Sequence, residues 1–305
     1  MSATLQATLL RPEPGPDTLK TTRWGGHRLA ALRGGEARAG QRIGESWELS
    51  TLPGRVSRAR GRSLDEHLRA PLPFLAKLID TALPLSVQVH PDDREGASGK
   101  EEAWMILDAE PDAQLWAGLA DGVTREELLD AAARARANRA SEPALFDLLQ
   151  THAALPGMII VVPAGTVHAI GGGVLLAEIQ QPSDCTYRIY DYRSGRQLHV
   201  EDASRTIRAD ARPVLWRPGD PPGRLRAKHL DLQVLLAGEH RLEDDVTPRL
   251  VAALRGNARI AGETLLAGEL GLLLPSAGGL GIHLSVEPTE VAVDPGGIAL
   301  VGRCS

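Results

Sequence analysis

A chain of 305 residues, 43% hydrophobic and 24% charged, carries enough apolar material for one large domain or two ordinary ones. No apolar run reaches the roughly 18–20 residues of a membrane span, and two cysteines are too few for a disulfide framework. A net charge of −5, with no basic run interleaved with aromatics, argues against nonspecific nucleic-acid binding. The opening Met1-Ser-Ala-Thr-Leu-Gln-Ala-Thr-Leu-Leu has neither a basic start nor a long apolar stretch, so the expected location is a reducing cytoplasm.

In chain order, Pro12, Pro14, Gly15 and Pro16 make residues 1–20 a loose lead-in. Trp24-Gly-Gly-His-Arg-Leu reads as a turn opening a structured region. Gly44-Glu-Ser-Trp-Glu-Leu-Ser alternates polar and apolar residues and predicts a strand with Glu45, Trp47 and Leu49 on one face. Ser63 followed by Glu66 is the capping-box signature of a short helix. Residues 73–80 form an apolar strand carrying Lys77, one of only four lysines among 34 Lys+Arg. The next strand is Leu85 to His90. A period of two puts Ser86, Gln88 and His90 on one face and Val87 and Val89 on the other. Pro91, which has no N–H for a ladder, ends it. After a Gly-containing turn, Lys100, Glu102 and Trp104 share one face of a further extended run. Polar rows of this kind need partners or a metal if they are buried.

Residues 122–152 differ. Thr124-Arg-Glu-Glu127 is a capping box, and the Ala/Leu/Arg-rich segment after it predicts a helix to about Asn138. Ser141-Glu-Pro143 starts a second helix running through Leu145, Leu148 and Leu149. Strands resume with Gly157-Met-Ile-Ile-Val-Val-Pro163-Ala-Gly165-Thr-Val-His168, then Val174 to Gln181, and a short helix is predicted from Asp202. Pro213, Pro218, Pro221 and Pro222 mark a linker. Beyond it, short apolar runs with turn signals suggest an all-β unit. Within that unit Gly268 to Ala277 echoes Gly157 to Gly165 with one extra residue before the proline and no matching histidine.

His90, His168, a glutamate near 102 and the Gln88 amide form a plausible divalent-metal set, of a composition that suits zinc. The spacing Gly157-x5-Pro163-x-Gly165-x2-His168 is similar to the second motif of the cupin superfamily, and Gln88-Val-His90 stands where the first motif usually has His-x-His. Generic cupin spacing points to Glu95 as the acidic member. Several longer stretches together point instead to Glu102. These are Trp24-Gly-Gly, Gly44-Glu-Ser-Trp-Glu, Leu85-Ser-Val-Gln-Val-His-Pro-Asp-Asp, Gly99-Lys-Glu-Glu-Ala-Trp, Pro163-Ala-Gly-Thr-Val-His-Ala-Ile and Glu178-Ile-Gln-Gln-Pro-Ser-Asp-Cys-Thr-Tyr-Arg-Ile-Tyr-Asp. The chain thereby resembles the short-form class I (type I) mannose-6-phosphate isomerases, over residues 21–205 in text and 211–305 only in architecture.

The resemblance implies an enzyme with one zinc ion per chain that interconverts mannose 6-phosphate and fructose 6-phosphate through a cis-enediolate. Its zinc ligands fall on Gln88, His90, Glu102 and His168, its active-site arginine on Arg188, and phosphate contacts on Ser86 and Lys77. The residues leave the base open. Arginine stays protonated, so Lys100 is the better proton carrier on physical grounds, with Arg188 as a charge clamp and Asp184, four residues before it, in place to orient it. Two departures stand out: Ala103 replaces a larger residue, and Glu101 doubles the acid beside Glu102. The expected fold is mainly all-β, with two cupin-type jelly-roll barrels. Residues 1–210 would be catalytic, with the helical insert at about 122–152, and 211–305 a metal-free second barrel. The expected partner is a small hexose phosphate, with no nucleic acid or membrane, acting on a monomer or weak homodimer. The rival readings are another metal-dependent cupin enzyme, an epimerase or iron oxygenase, and a non-catalytic sugar-phosphate-binding cupin.

Overall fold

The computed structural model describes residues 7–13, 15, 17–33, 40–94, 98–242, 247–275 and 289–304. Its framework is three antiparallel sheets stacked in layers. The five-stranded sheet runs, edge to edge, Leu149–Ala153, Gln114–Leu119, His168–Ile170, Val87–Val89 and Tyr187–Tyr190. The seven-stranded sheet runs Val214–Trp216, Ile159–Val162, Glu102–Ala109, Val174–Gln180, Leu75–Thr81, Leu19–Gly26 and Ile43–Leu49. An eight-stranded sheet holds the C-terminal strands.

Strand alternation explains the layering. In Glu102–Ala109, Trp104 and Ile106 pack with Leu115, Ala117 and Ile170 of the five-stranded sheet. The intervening Ala103 and Met105 pack with Leu230, Leu232 and Leu272 of the C-terminal sheet. The seven-stranded sheet is thus covered on both faces, and its central strands read as continuous apolar runs rather than alternating ones. The outer face of the five-stranded sheet, through Val87, Val89 and Ile189, is covered by Leu128, Ala131, Ala132 and Leu145 of the helical insert. This is the mainly β architecture with a small helical insert that the sequence predicts.

Five local expectations are corrected. Thr8–Leu10 is not loose: it pairs with Leu270–Leu274, burying Leu9 and Leu10 and covering a sheet edge. Trp24-Gly-Gly ends a strand rather than forming a turn: Gly25 pairs with Thr81 and Gly26 with Ile43, and Gly26 approaches Asp80 too closely for any side chain. The helix Leu64–His67 forms, but its Ser63 side chain makes no cap bond, and Glu66 pairs with Arg62 instead. The helix after Ser141 stops at Phe146, since Leu149 opens a strand. The proline-rich stretch after 211 is no free linker: Val214–Trp216 adds an edge strand beside Ile159–Val162. By contrast Thr124 and Glu127 make both bonds of a capping box on the helix Arg125–Ala137, and Val200–Thr206 is helical. In the C-terminal echo, Ser276 and Ala277 lie outside the described residues.

Candidate metal centre and active-site cavity

Adjacent strands bring the polar residues together. Gln88 lies in register with His168 on one side and Arg188 on the other. Ser86, two residues before it on the same face, donates its hydroxyl to Gln88 Oε1 at 3.0 Å. On the facing sheet Glu102 lies opposite Val162 and Gln180. The Pro163–Thr166 turn aims His168. Gly165 adopts φ +85°, a left-handed value that suits glycine, and a Cβ there would meet Arg208 Cδ at 2.8 Å. Its N–H donates to His90 O at 2.9 Å, so one turn holds both histidine segments.

His90, Glu102 and His168 are 2%, 1% and 0% exposed, and each offers a ligand atom within 4.8 Å of the others'. His90 Nε2 lies 3.2 Å from Glu102 Oε2, and His168 Nε2 lies 3.4 Å from Glu102 Oε1. The Nδ1 atoms point away, His90 to Cys185 O and His168 to Thr166 O, both at 2.9 Å. A carbonyl only accepts, so each ring carries its proton on Nδ1 and turns a bare Nε2 lone pair inward. Two neutral imidazoles and a carboxylate converging in this way fit a divalent cation such as zinc. Gln88 stands beside them, but it presents its amide nitrogen to His168 Nε2 at 3.2 Å. Ligation through its oxygen requires a half-turn of the amide.

The Lys100 ammonium is the positive charge these donors meet. It bonds His90 Nε2 at 3.1 Å and the Glu102 carboxylate, and lies 3.9 Å from Glu178. Burial works to lower the Lys100 pKa, but Glu102 and Glu178 outweigh it and hold the group above the ordinary lysine range. Burial pushes Glu102 up, yet the Lys100 ammonium holds it well below the usual carboxylate range. Burial, reinforced by Lys100, drops His90 to about 3 and keeps the ring neutral. Burial likewise lowers His168 and raises Glu178.

Gln88 and Lys100 line a cavity of about 730 Å³ between the sheets. Arg188 lines it too, and its buried Nε donates to nothing among the described residues. Burial and the nearby Arg196 charge lower its pKa. Lys77 and Ser86 reach the cavity, but Lys77 Nζ is committed to Gln180 Oε1 at 2.7 Å and Glu178 at 3.3 Å. Asp184 is exposed, lies 3.8 Å from Lys20, and lines the same cavity as Arg188, whose guanidinium its charge favours. Glu95 lies outside the described residues. Glu101 is turned to the opposite face, so the acid at this centre is Glu102. Sequence reasoning passed over Glu178 and Gln180, which hold Lys77. Two polar residues two apart in the otherwise apolar Val174–Gln180 were the available signal. It also passed over Glu45, which accepts from Trp47 Nε1 at 2.8 Å, and His199, which accepts the Arg188 N–H at 3.3 Å.

No protein-family model matches the chain. It is 35% identical over 218 residues to mannose-6-phosphate isomerase ManA of Bacillus subtilis, covering 62% of this chain and 66% of that protein. It is 30% identical over 278 residues to the mannose-6-phosphate isomerase of Streptococcus mutans, covering 78% of this chain and 83% of that one. The match to the Bacillus protein thus spans just under two thirds of its length. Among solved structures, the Bacillus subtilis mannose 6-phosphate isomerase superposes with TM-score 0.70 at 23% identity, over 98% of this chain and 99% of that one. A mannose 6-phosphate isomerase bound with zinc and yttrium superposes at 0.63 and 15% identity, over 99% and 100%. These superpositions establish a shared cupin-type fold. Sequence identity of 30% carried through 78% of this chain and 83% of the Streptococcus mutans enzyme makes this chain a member of the mannose-6-phosphate isomerase family.

Proposed function

We propose that the chain interconverts mannose 6-phosphate and fructose 6-phosphate, with His90, Glu102, His168 and, after its amide turns, Gln88 holding one zinc ion. The observation that carries this reading is the convergence of two Nε2 lone pairs and a carboxylate beside a cavity with an unpaired arginine donor, in a chain whose relatives bear that name. Bound zinc would supply a Lewis acid for the sugar's C1/C2 oxygens. The chain's own residues do the rest. Arg188, with a free N–H in a partly buried setting, clamps negative charge on the phosphate or on the cis-enediolate oxygens. Lys100 Nζ, beside the centre and open to the cavity, carries the proton between C1 and C2. Glu102 and Glu178 hold it protonated, and a cation bound at Glu102 would offset that carboxylate and free Lys100 to act as a base. With the Gln88 amide turned, the Ser86 hydroxyl would accept from its NH2 instead of donating to its oxygen, and Lys77 steadies Glu178 and Gln180. We assign the five- and seven-stranded sheets, with Val214–Trp216, to the catalytic unit and the eight-stranded sheet, with Thr8–Leu10, to the second β unit, in a cytoplasmic protein acting as a monomer or weak homodimer.

A coupled assay for fructose 6-phosphate, with and without chelator, tests the proposal. Turnover abolished by chelator and restored by zinc is expected, and turnover indifferent to chelator sinks the metal role. Lys100→Met should cut hydrogen–deuterium exchange at C2 by about 100-fold or more. Exchange at the wild-type rate would move the base elsewhere.

A further inference from the structure

Glu101 sits between Lys100 and Glu102 but belongs to neither side of their chemistry. Alternation turns its side chain away from the cavity and toward the C-terminal sheet, where it is 2% exposed. There its carboxylate accepts three consecutive main-chain N–H groups: Lys228 at 3.2 Å, and His229 and Leu230 both at 2.8 Å. These residues form the turn of the hairpin joining Arg224–Arg226 to Leu230–Leu242, closed by Ala227 N–H to Leu230 O at 2.9 Å. Successive amides converging on one point make an anion-binding nest, and here the anion is the protein's own side chain.

The backbone of Glu101 is fixed as well. Its N–H donates to Gln181 Oε1 at 2.9 Å, and Gln181 N–H donates back to Glu101 O at 3.0 Å. Gln181 Nε2 also reaches Asp93 Oδ1 at 3.0 Å, which takes the Gly99 N–H at 2.7 Å. The segment before Glu102 is therefore tied to the C-terminal sheet through one carboxylate and to its own sheet through one amide. Lys228 forms an ion pair with Asp92, and His229 Nε2 lies 2.9 Å from Asp93 Oδ2, around the rim of the same junction. Asp92 and Lys228 are about half exposed, so that pair is screened and weak. The amide bonds end on a carboxylate that is 2% exposed, and the one from Leu230 is fully buried.

We propose that Glu101 is a positioning residue: through it the C-terminal sheet sets the placement of Lys100 and Glu102 in the metal centre. This rests on the reading of Glu102 as a ligand. It gives the second β unit, which has no histidine at the echoed turn, a part in catalysis. Groups that orient metal ligands at one remove typically change metal affinity 10–100-fold when removed.

The test is Glu101→Gln, which keeps the shape but sets an NH2 donor against a donor N–H. Zinc affinity, measured by competition with a chelating dye, should fall about tenfold or more. kcat should fall while KM for the sugar phosphate stays within about twofold of wild type, because Arg188 lies on the other sheet. Amides 228–230 should exchange faster. Lys228→Ala, which keeps all three amides, should leave zinc affinity unchanged. If Glu101→Gln does not fold, Glu101→Asp, which keeps the charge but draws it back one methylene from the three amides, should weaken zinc in the same direction. Wild-type zinc affinity and kcat in Glu101→Gln, or wild-type affinity in Glu101→Asp, overturn the proposal. A wild-type chain that binds no divalent cation sinks the metal reading instead, and kcat of Glu101→Gln then decides the junction alone.

Discussion

The two β units handle their interiors differently. Between the five- and seven-stranded sheets, strand ends carry Gln88, His90, Glu102 and His168 into a space where Lys100, Glu178 and Lys77 form a chain of buried charge contacts. The corresponding interior of the C-terminal sheet is aliphatic: Leu235, Val251, Ala253, Leu273 and Val301. Both units enter the echoed stretch through a left-handed glycine turn, with φ +88° at Gly157 and +84° at Gly268. One stretch delivers an imidazole, whereas no histidine follows the other in sequence at the matching place. Buried charge needs every partner in place, while an aliphatic core needs only volume. The first unit should therefore be brittle in function and the second only in stability.

The largest effect is expected at the centre. Glu102→Gln removes the anionic member and strands the Lys100 ammonium, so turnover in the coupled assay should drop about 1000-fold or more, with zinc content falling in parallel. Retained zinc and retained rate would erase the contrast between the units. Leu272→Ala, fully buried on the shared face, should cost about 2–5 kcal/mol in denaturant unfolding while leaving turnover per folded molecule intact. A kinetic defect in the folded variant would mean that packing, too, reaches the centre.

Smaller effects sharpen the picture. Thr124→Ala breaks a complete capping box and should cost about 1 kcal/mol. Ser63→Ala should cost almost nothing, because no cap bond is made there. Equal thermal shifts would contradict both assignments. The smallest effect is a pH dependence. Burial would raise the Glu45 carboxyl, but Lys77 and Lys20 hold it below its ordinary 4.5. The unfolded chain then takes up this proton first. The stabilisation is therefore present above pH 4.5 and is lost as pH falls through the native value. The thermal midpoint of Glu45→Gln should approach that of wild type as pH drops below 4.5, and parallel curves would refute the coupling.

What could be read in advance follows a physical divide. Period-two alternation and a Gly/Pro turn are local, so Ser86, Gln88 and His90 on one face and His168 after Gly165 were legible, as was the orientation of Glu102 against Glu101. Cross-strand partners are not local. Nothing near Lys77 announces Gln180 as its acceptor, and nothing near Leu9 announces Leu273 as its neighbour. The proline-rich segment shows the same limit: composition suggested a linker, but the open edge beside Ile159–Val162 recruited it as a strand. Where alternation broke, prediction broke with it. A register shift falls between Trp47 and Leu49, so Trp47 lies beneath the Lys20 and Lys77 cations while Leu49 joins the core.

The two histidines are steered by main-chain carbonyls, Thr166 O and Cys185 O, not by carboxylate side chains. Replacing the residue at 166 or 185 leaves those oxygens where they are. Tautomer and ring angle are thus inherited from the path of the backbone, so both positions can drift through evolution without disturbing the imidazoles. Only a shift of the chain itself would unseat them.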